Sequence, residues 1–280
     1  LLLAIAVAVA PALACAAETQ PSVPATGTIP ARSDEAQSSI QLVWTVFLGG
    51  INLGTVGMKT NFSGDTYSAV SRLKTAGVAS SFYEAVIEAS AVGTVAGSSV
   101  RPQKYDSSYN GEKSNQRVAL AYAGAGIELF SEPPYDVNRF PVSEEQKRDT
   151  VDPLSGIVFA ISGISITPER PCGETVRVFD GRRRYDVELT YVGKETISAM
   201  NYAGPTTKCE MRYKQIAGFK QTLTKTPLPV ISLWYATFPA KEPGPVKFFA
   251  VPVRLIADTP FGAAIAHARK ITIDGDEKDG

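Results

Sequence analysis

Few side chains in this 280-residue chain have the type and spacing that chemistry requires. There is one histidine, His267, so a Ser–His–Asp triad would have to run through it, and zinc held by several imidazoles is impossible. It lies in Ala263-Ala-Ile-Ala-His-Ala-Arg-Lys-Ile271 with no acid marked nearby, which reads as a structural or solvent-facing position. Gly124-Ala-Gly126 opens a G-x-G pattern, but residue 129 is Leu and the flanks read as strand rather than strand-to-helix. G-x-S-x-G and P-loop motifs are absent from the sequence. We expect no catalytic residue, no metal site and no cofactor.

Four charged or aromatic residues remain as candidates for binding. Arg182-Arg183-Arg184 follows Asp180-Gly181, a two-residue hairpin signal. Arg182 and Arg184 share a strand face with Asp186 and Glu188, where cross-strand pairing explains them. Arg183 falls on the apolar parity at the hairpin tip, where its guanidinium reaches water as an anchor for a headgroup or carboxylate. Tyr185, Tyr213 and Trp234 join it as the lining expected for a lipid or other apolar ligand, although aromatics of this kind, like Trp44 and Tyr235, are first of all core. An alternative reading is an envelope-polymer hydrolase pairing Asp152 or Asp180 with Glu174, which needs two acids in one cleft. Both aspartates already have structural work, as a helix N-cap and as a turn residue.

The cysteines speak to compartment. Leu1 to Ala14 is an apolar run too short to span a bilayer and suited to the core of a secretory signal, here without its basic start. Small residues at cleavage spacing follow, so residues 1–17 are read as a signal peptide and 18–39, rich in Pro, Ser, Thr and Ala, as a disordered leader. Cys15 as a lipid anchor is the minority alternative, because Leu13 and Ala12 stand in the inverse of the lipoprotein order. Cleavage leaves Cys172 and Cys209, and two cysteines in an exported, periplasmic protein are most simply one disulfide. Pairing 178 with 183, 176 with 185 and 174 with 187 puts Val176, Val178, Tyr185, Val187 and Leu189 on one face, with Cys172 on the same parity. Cys209, Met211 and Tyr213 alternate with Lys208, Glu210 and Arg212. Both cysteines therefore fall on the apolar side of their strands. There is no Cys-x-x-Cys to make a redox pair.

The elements that must position these residues are mostly strands. Runs from Ile40, Ile51 and Thr66 are divided by Gly49-Gly50 and Asn61 to Asp65, a meander opening a sheet. Ser80 to Ala89 fits either helix or strand. Arg101 to Tyr105 and Tyr109 to Gly111 read as loop, followed by strands over 116–123 and 127–130. Ser143-x-x-Gln146 resembles a capping box, and Asp152-Pro153 opens a helix carrying Leu154, Ile157, Val158 and Ile161 inward. Strands then alternate with turns at Asp180-Gly181, Gly204-Pro205 and Glu242 to Pro245. The expected fold is all-β: a curved antiparallel sheet, half-barrel or spiral-like, with one or two short helices, in a single domain over 40–275 and a polar tail over 276–280.

Twenty-eight basic and 28 acidic residues leave no net charge, which removes the footprint of a nucleic-acid binder. No transmembrane span is expected.

Asp152-Pro-Leu-Ser155, Pro171-Cys172, Val178-Phe-Asp-Gly-Arg-Arg-Arg-Tyr-Asp186, Cys209-x-x-Arg-Tyr213, Ile216-Ala-Gly218 and Phe47-Leu-Gly-Gly-Ile-x-Leu-Gly54 are together similar to the proteobacterial domain of unknown function numbered 3108. The resemblance covers about residues 40 to 275 and contains no catalytic signature. It implies an exported periplasmic β-protein without an assigned activity. By analogy of fold, it implies a role in envelope integrity or lipid binding. A periplasmic protein is the other kind of partner expected, and a purely structural protein–protein interaction module held by a sheet edge is a further alternative.

Overall fold

The computed structural model describes residues 37–77, 80, 84–112, 114–124, 126–220, 228–241 and 244–278. The signal-peptide and Cys15 readings lie outside them, as does the leader except for Gln37, Ser38 and Ser39, which are already strand. The turn expected over Glu242 to Pro245 is described only in part.

Seven strands follow one another as a meander: β1 (Gln37–Leu48), β2 (Ile51–Ser63), β3 (Thr66–Thr75), β4 (Ala85–Ala96), β5 (Ser99–Gly111), β6 (Asn115–Ala123) and β7 (Gly126–Glu132). Two helices come next, α1 (Glu144–Lys147) and α2 (Pro153–Ile161). A second meander is built from β8 (Thr175–Phe179), β9 (Arg184–Ala199), β10 (Tyr202–Ala217), β11 (Ile231–Pro239), β12 (Phe248–Thr259) and β13 (Gly262–Ile273). β1 and β13 pair antiparallel, from Ile40 opposite Ile273 to Leu48 opposite Ala264, and fuse the two meanders into one sheet. A short β14 (Asp276–Glu277) adds to β13, so the sheet has 14 strands.

The sheet is open, with β7 and β8 at its two ends, yet those ends meet. A Cβ on Gly181, in the β8–β9 turn, would lie 2.6 Å from Val118 of β6 and 3.0 Å from Leu129 of β7. α2 touches β3, β4 and β5 from one meander and β8 and β12 from the other. A sheet whose two halves both reach one helix is strongly curved, and α2 fills its concave side. Leu154, Val158 and Ile161 of the helix are buried there with Leu42, Val56, Phe62, Leu120, Val178 and Phe249.

Both helix starts are capped as their sequences predict. Ser143 and Gln146 form the reciprocal capping box. Asp152 Oδ1 accepts from the Leu154 and Ser155 N–H groups, with Pro153 at the first helical position. Two expectations need correction, and one left open is settled. Residues 99–111 are strand throughout, because Pro102 sits at a register shift opposite Gly93, where its missing N–H breaks no ladder. Gly204-Pro205 is not a turn: the reversal comes at Met200-Asn201, and Pro205 pairs with Thr196 beyond the point where β11 flanks β10. The ambiguous segment resolves as strand from Ala85.

The β8–β9 register is also shifted. Val178 faces Tyr185 and Val176 faces Val187, two residues from the expected pairing. Asp180 is the reason: its Oδ1 accepts from the N–H groups of both Arg182 and Arg183, and its own N–H donates to the Arg183 carbonyl, which widens the turn to four residues. A shift of two preserves parity, so the same side chains still face inward.

Candidate functional site

The predicted cysteines form a disulfide. Cys172 precedes β8 and Cys209 lies mid-way along β10, with Cα atoms 6.5 Å apart and both side chains buried. β9 runs between β8 and β10 in the sheet, so the bridge ties the chain leaving α2 to the second strand beyond its own.

Arg183, Tyr185 and Tyr213 come together at the β8–β9 turn, and Trp234 does not. The rings of Tyr185 and Tyr213 stack with centroids 4.4 Å apart, Phe219 meets Tyr213 edge-on, and the Arg183 guanidinium lies 5.8 Å from the Phe219 ring centre. Tyr185 is buried, and burial raises its hydroxyl pKa well above the ordinary value. Arg182 leans on Tyr135 and not on an acid. Arg184 is turned into the protein: its Nη1 lies 2.6 Å from Asp186, and its Nε donates to the Gln146 carbonyl of α1. The pairing expected across strands thus occurs within β9, and the second donor pins a helix.

A polar cluster that sequence reasoning missed sits at the start of α2. Asp152 Oδ2 accepts from the Ser155 hydroxyl at 2.5 Å, and Ser155 in turn accepts from the Tyr67 hydroxyl at 2.7 Å. Asp152 is fully buried, which pushes its pKa up to about 6 against the pull of the Ser155 hydroxyl and three main-chain N–H groups. Gly93 leaves the room that Tyr67 occupies, since a Cβ there would lie 2.6 Å from the Tyr67 hydroxyl. Asp152 announced itself in the sequence as a cap, but no spacing rule links it to Tyr67, 85 positions away.

Between α2 and the strands lies an apolar cavity of about 70 Å³, bordered by Trp44, Ile157, Ala160, Leu189, Met211 and Leu233. A shallower groove of about 490 Å³ crosses the outer face of β1 to β5 beside Lys59, Val70 and Arg72. Its wall charges are largely matched: Arg72 with Glu88 at 3.4 Å, and Asp106 with Arg117 at 2.7 Å. Among the described residues no cluster of His, Cys, Asp and Glu could hold a metal ion, and no helix is long and apolar enough to cross a membrane.

The profile of a protein family of unknown function, DUF3108, matches residues 43–269. The chain belongs to the DUF3108 family. Among solved structures, the DUF3108 chain is similar to a β-barrel-like protein of the domain of unknown function DUF1849 from Brucella abortus. The two are 10% identical, with a TM-score of 0.48, over 88% of this chain and 99% of that one. No curated protein matches the chain.

Proposed function

We propose that this DUF3108 protein is an exported, periplasmic β-scaffold of the cell envelope that works by binding and not by catalysis. The disulfide is the observation that carries the reading, because a buried bridge of this kind belongs to an oxidising compartment. The carboxylates of the hydrolase alternative argue against chemistry. Asp152 is engaged by a helix start and Ser155, and Asp180 by a turn, so neither is free to activate water.

A binding role for Arg183 and Tyr213 rests on their place at the rim of the concave side, with Tyr185 behind them as support. The interior itself holds no acyl chain as it stands: about 70 Å³ is well under the roughly 150 Å³ cavity that takes up benzene. A lipid would have to displace α2. The test is a deletion strain challenged with detergent and large antibiotics, complemented by the chain with and without its N-terminal apolar run. Restored resistance by the exported form alone supports the scaffold. Equal rescue by a cytoplasmic form, or no envelope phenotype, would overturn it. Native mass spectrometry of the periplasmic protein, with a lipid mass retained or absent, decides the lipid-binding version.

A further inference from the structure

A row of side chains crosses the outer face of the second meander. Backbone register places Gly193 opposite Lys208, Lys208 opposite Trp234, Trp234 opposite Arg254, Arg254 opposite His267, and His267 opposite Thr45 of β1. Their strand neighbours Cys209, Leu233, Leu255 and Ala266 belong to the buried core, so alternation turns this row outward. No acid lies in it.

Trp234 organises the row. Lys208 Nζ and the Arg254 guanidinium carbon each lie 5.1 Å from the indole ring centre, and the indole N–H donates to Glu195 Oε2 at 2.6 Å. Glu195 Oε1 lies 3.4 Å from Lys208 Nζ. The one carboxylate in the cluster therefore has both oxygens committed, to Trp234 and to Lys208. Glu195 and Arg254 feel each other's charge, but no described acid is within ion-pair distance of Arg254.

Two donors are left over, side by side. Arg254 Nε and His267 Nδ1 are both buried and lack a hydrogen-bond partner. The cation–π contact with Trp234 engages the guanidinium as a cation and leaves its Nε–H without an acceptor. Buried donors without an acceptor are costly, and a native structure keeps them where something else supplies the acceptor. Neutral imidazole can carry its proton on Nδ1, so these two residues, paired across β12 and β13, each hold an unpartnered N–H donor. Gly193, where an added Cβ would meet nothing within 4 Å, leaves the approach past Lys208 open.

We propose that Arg254 and His267, flanked by Lys208 and Trp234, form a binding site for an oxyanion, a phosphate or carboxylate group, on the outer face of β10 to β13. The guanidinium edge would bind two oxygens, His267 a third contact, and Lys208 the remaining charge. This site is on the opposite face of the sheet from Arg183 and Tyr213 and does not depend on the scaffold reading.

His267 is the only histidine, so its ring gives one imidazole signal. We would titrate the purified protein with sodium phosphate and, separately, sodium acetate, against sodium chloride at matched ionic strength and neutral pH. A saturable shift of the His267 resonance with either anion is the expected result, and the anion that produces it assigns the ligand class. Arg254→Gln should weaken the apparent affinity at least about tenfold, and Lys208→Gln by a smaller factor. Arg254→Lys, which keeps the charge but loses the fork, serves where the glutamine variant does not fold. No saturable shift with either anion beyond the chloride control would overturn the proposal. So would undiminished binding in a folded Arg254 variant.

Discussion

Asp152 carries the clearest pH dependence in the molecule. Its carboxyl is raised from 3.8 to about 6 by burial in the folded state. Between those values the folded chain holds a proton that the unfolded chain has released, so stability falls as pH rises through this window and is greatest below it. The difference is on the order of 3 kcal/mol. Asp152→Asn keeps the Oδ1 acceptor of the cap and cannot ionise. Denaturant titrations at intervals from about pH 4 to about pH 7 should therefore show the variant gaining on the natural protein as pH rises. Parallel curves for the two proteins across that range would refute the account. The sequence pointed to Asp152 through its neighbour Pro153, and to Asp180 through Gly181, because both signals are local. It holds no local mark of Tyr67 or Glu195, whose partners are brought to them by the curvature of the sheet in the first case and by the pairing of β9, β10 and β11 in the second.

Among the elements, the β8–β9 turn packs one end of the sheet against the other. Gly181 has φ of 93°, a conformation L residues rarely adopt, and an added Cβ would strike Val118 and Leu129. Gly181→Ala should cost about 1–3 kcal/mol from backbone strain and overpacking together. Faster hydrogen exchange in β6 and β7 than in β1 and β2 would place the damage at the junction; a uniform change across the sheet would not fit. Turn width was the feature least legible beforehand. Asp-Gly is a strong signal for a two-residue reversal, but the Asp180 side chain accepts from two later N–H groups and draws Arg182 and Arg183 into the turn. Prolines misled in the same way. Pro102 and Pro205 mark turns by type, whereas a bulge and an unflanked stretch of strand remove the need for their missing donors.

Across the whole molecule, the disulfide joins the end of the helical segment to the second meander. Replacing Cys172 and Cys209 together by Ser should lower stability by about 2–5 kcal/mol without altering the secondary structure seen by circular dichroism. Mass mapping of non-reduced peptides from protein alkylated at lysis should recover the two cysteines linked; free thiols at both would contradict the bridge. The all-β class and the inward parity of most strands could be read because alternation survives a register slip of two. The joining of β1 to β13 could not be read, since nothing in either strand's own pattern names a partner more than two hundred positions distant.

That junction has a temporal side. β1 precedes β13 by the whole of both meanders, and every other ladder in the sheet links strands consecutive in the chain. The first seven strands can thus assemble before the second meander has emerged, with β1 as an unpaired border. Until β13 arrives, the row of main-chain groups from Ile40 to Leu48 is open to any extended chain nearby. A chaperone that shields that border, or a mutation that delays the second meander, would act on the yield of the folded protein while leaving its final stability untouched.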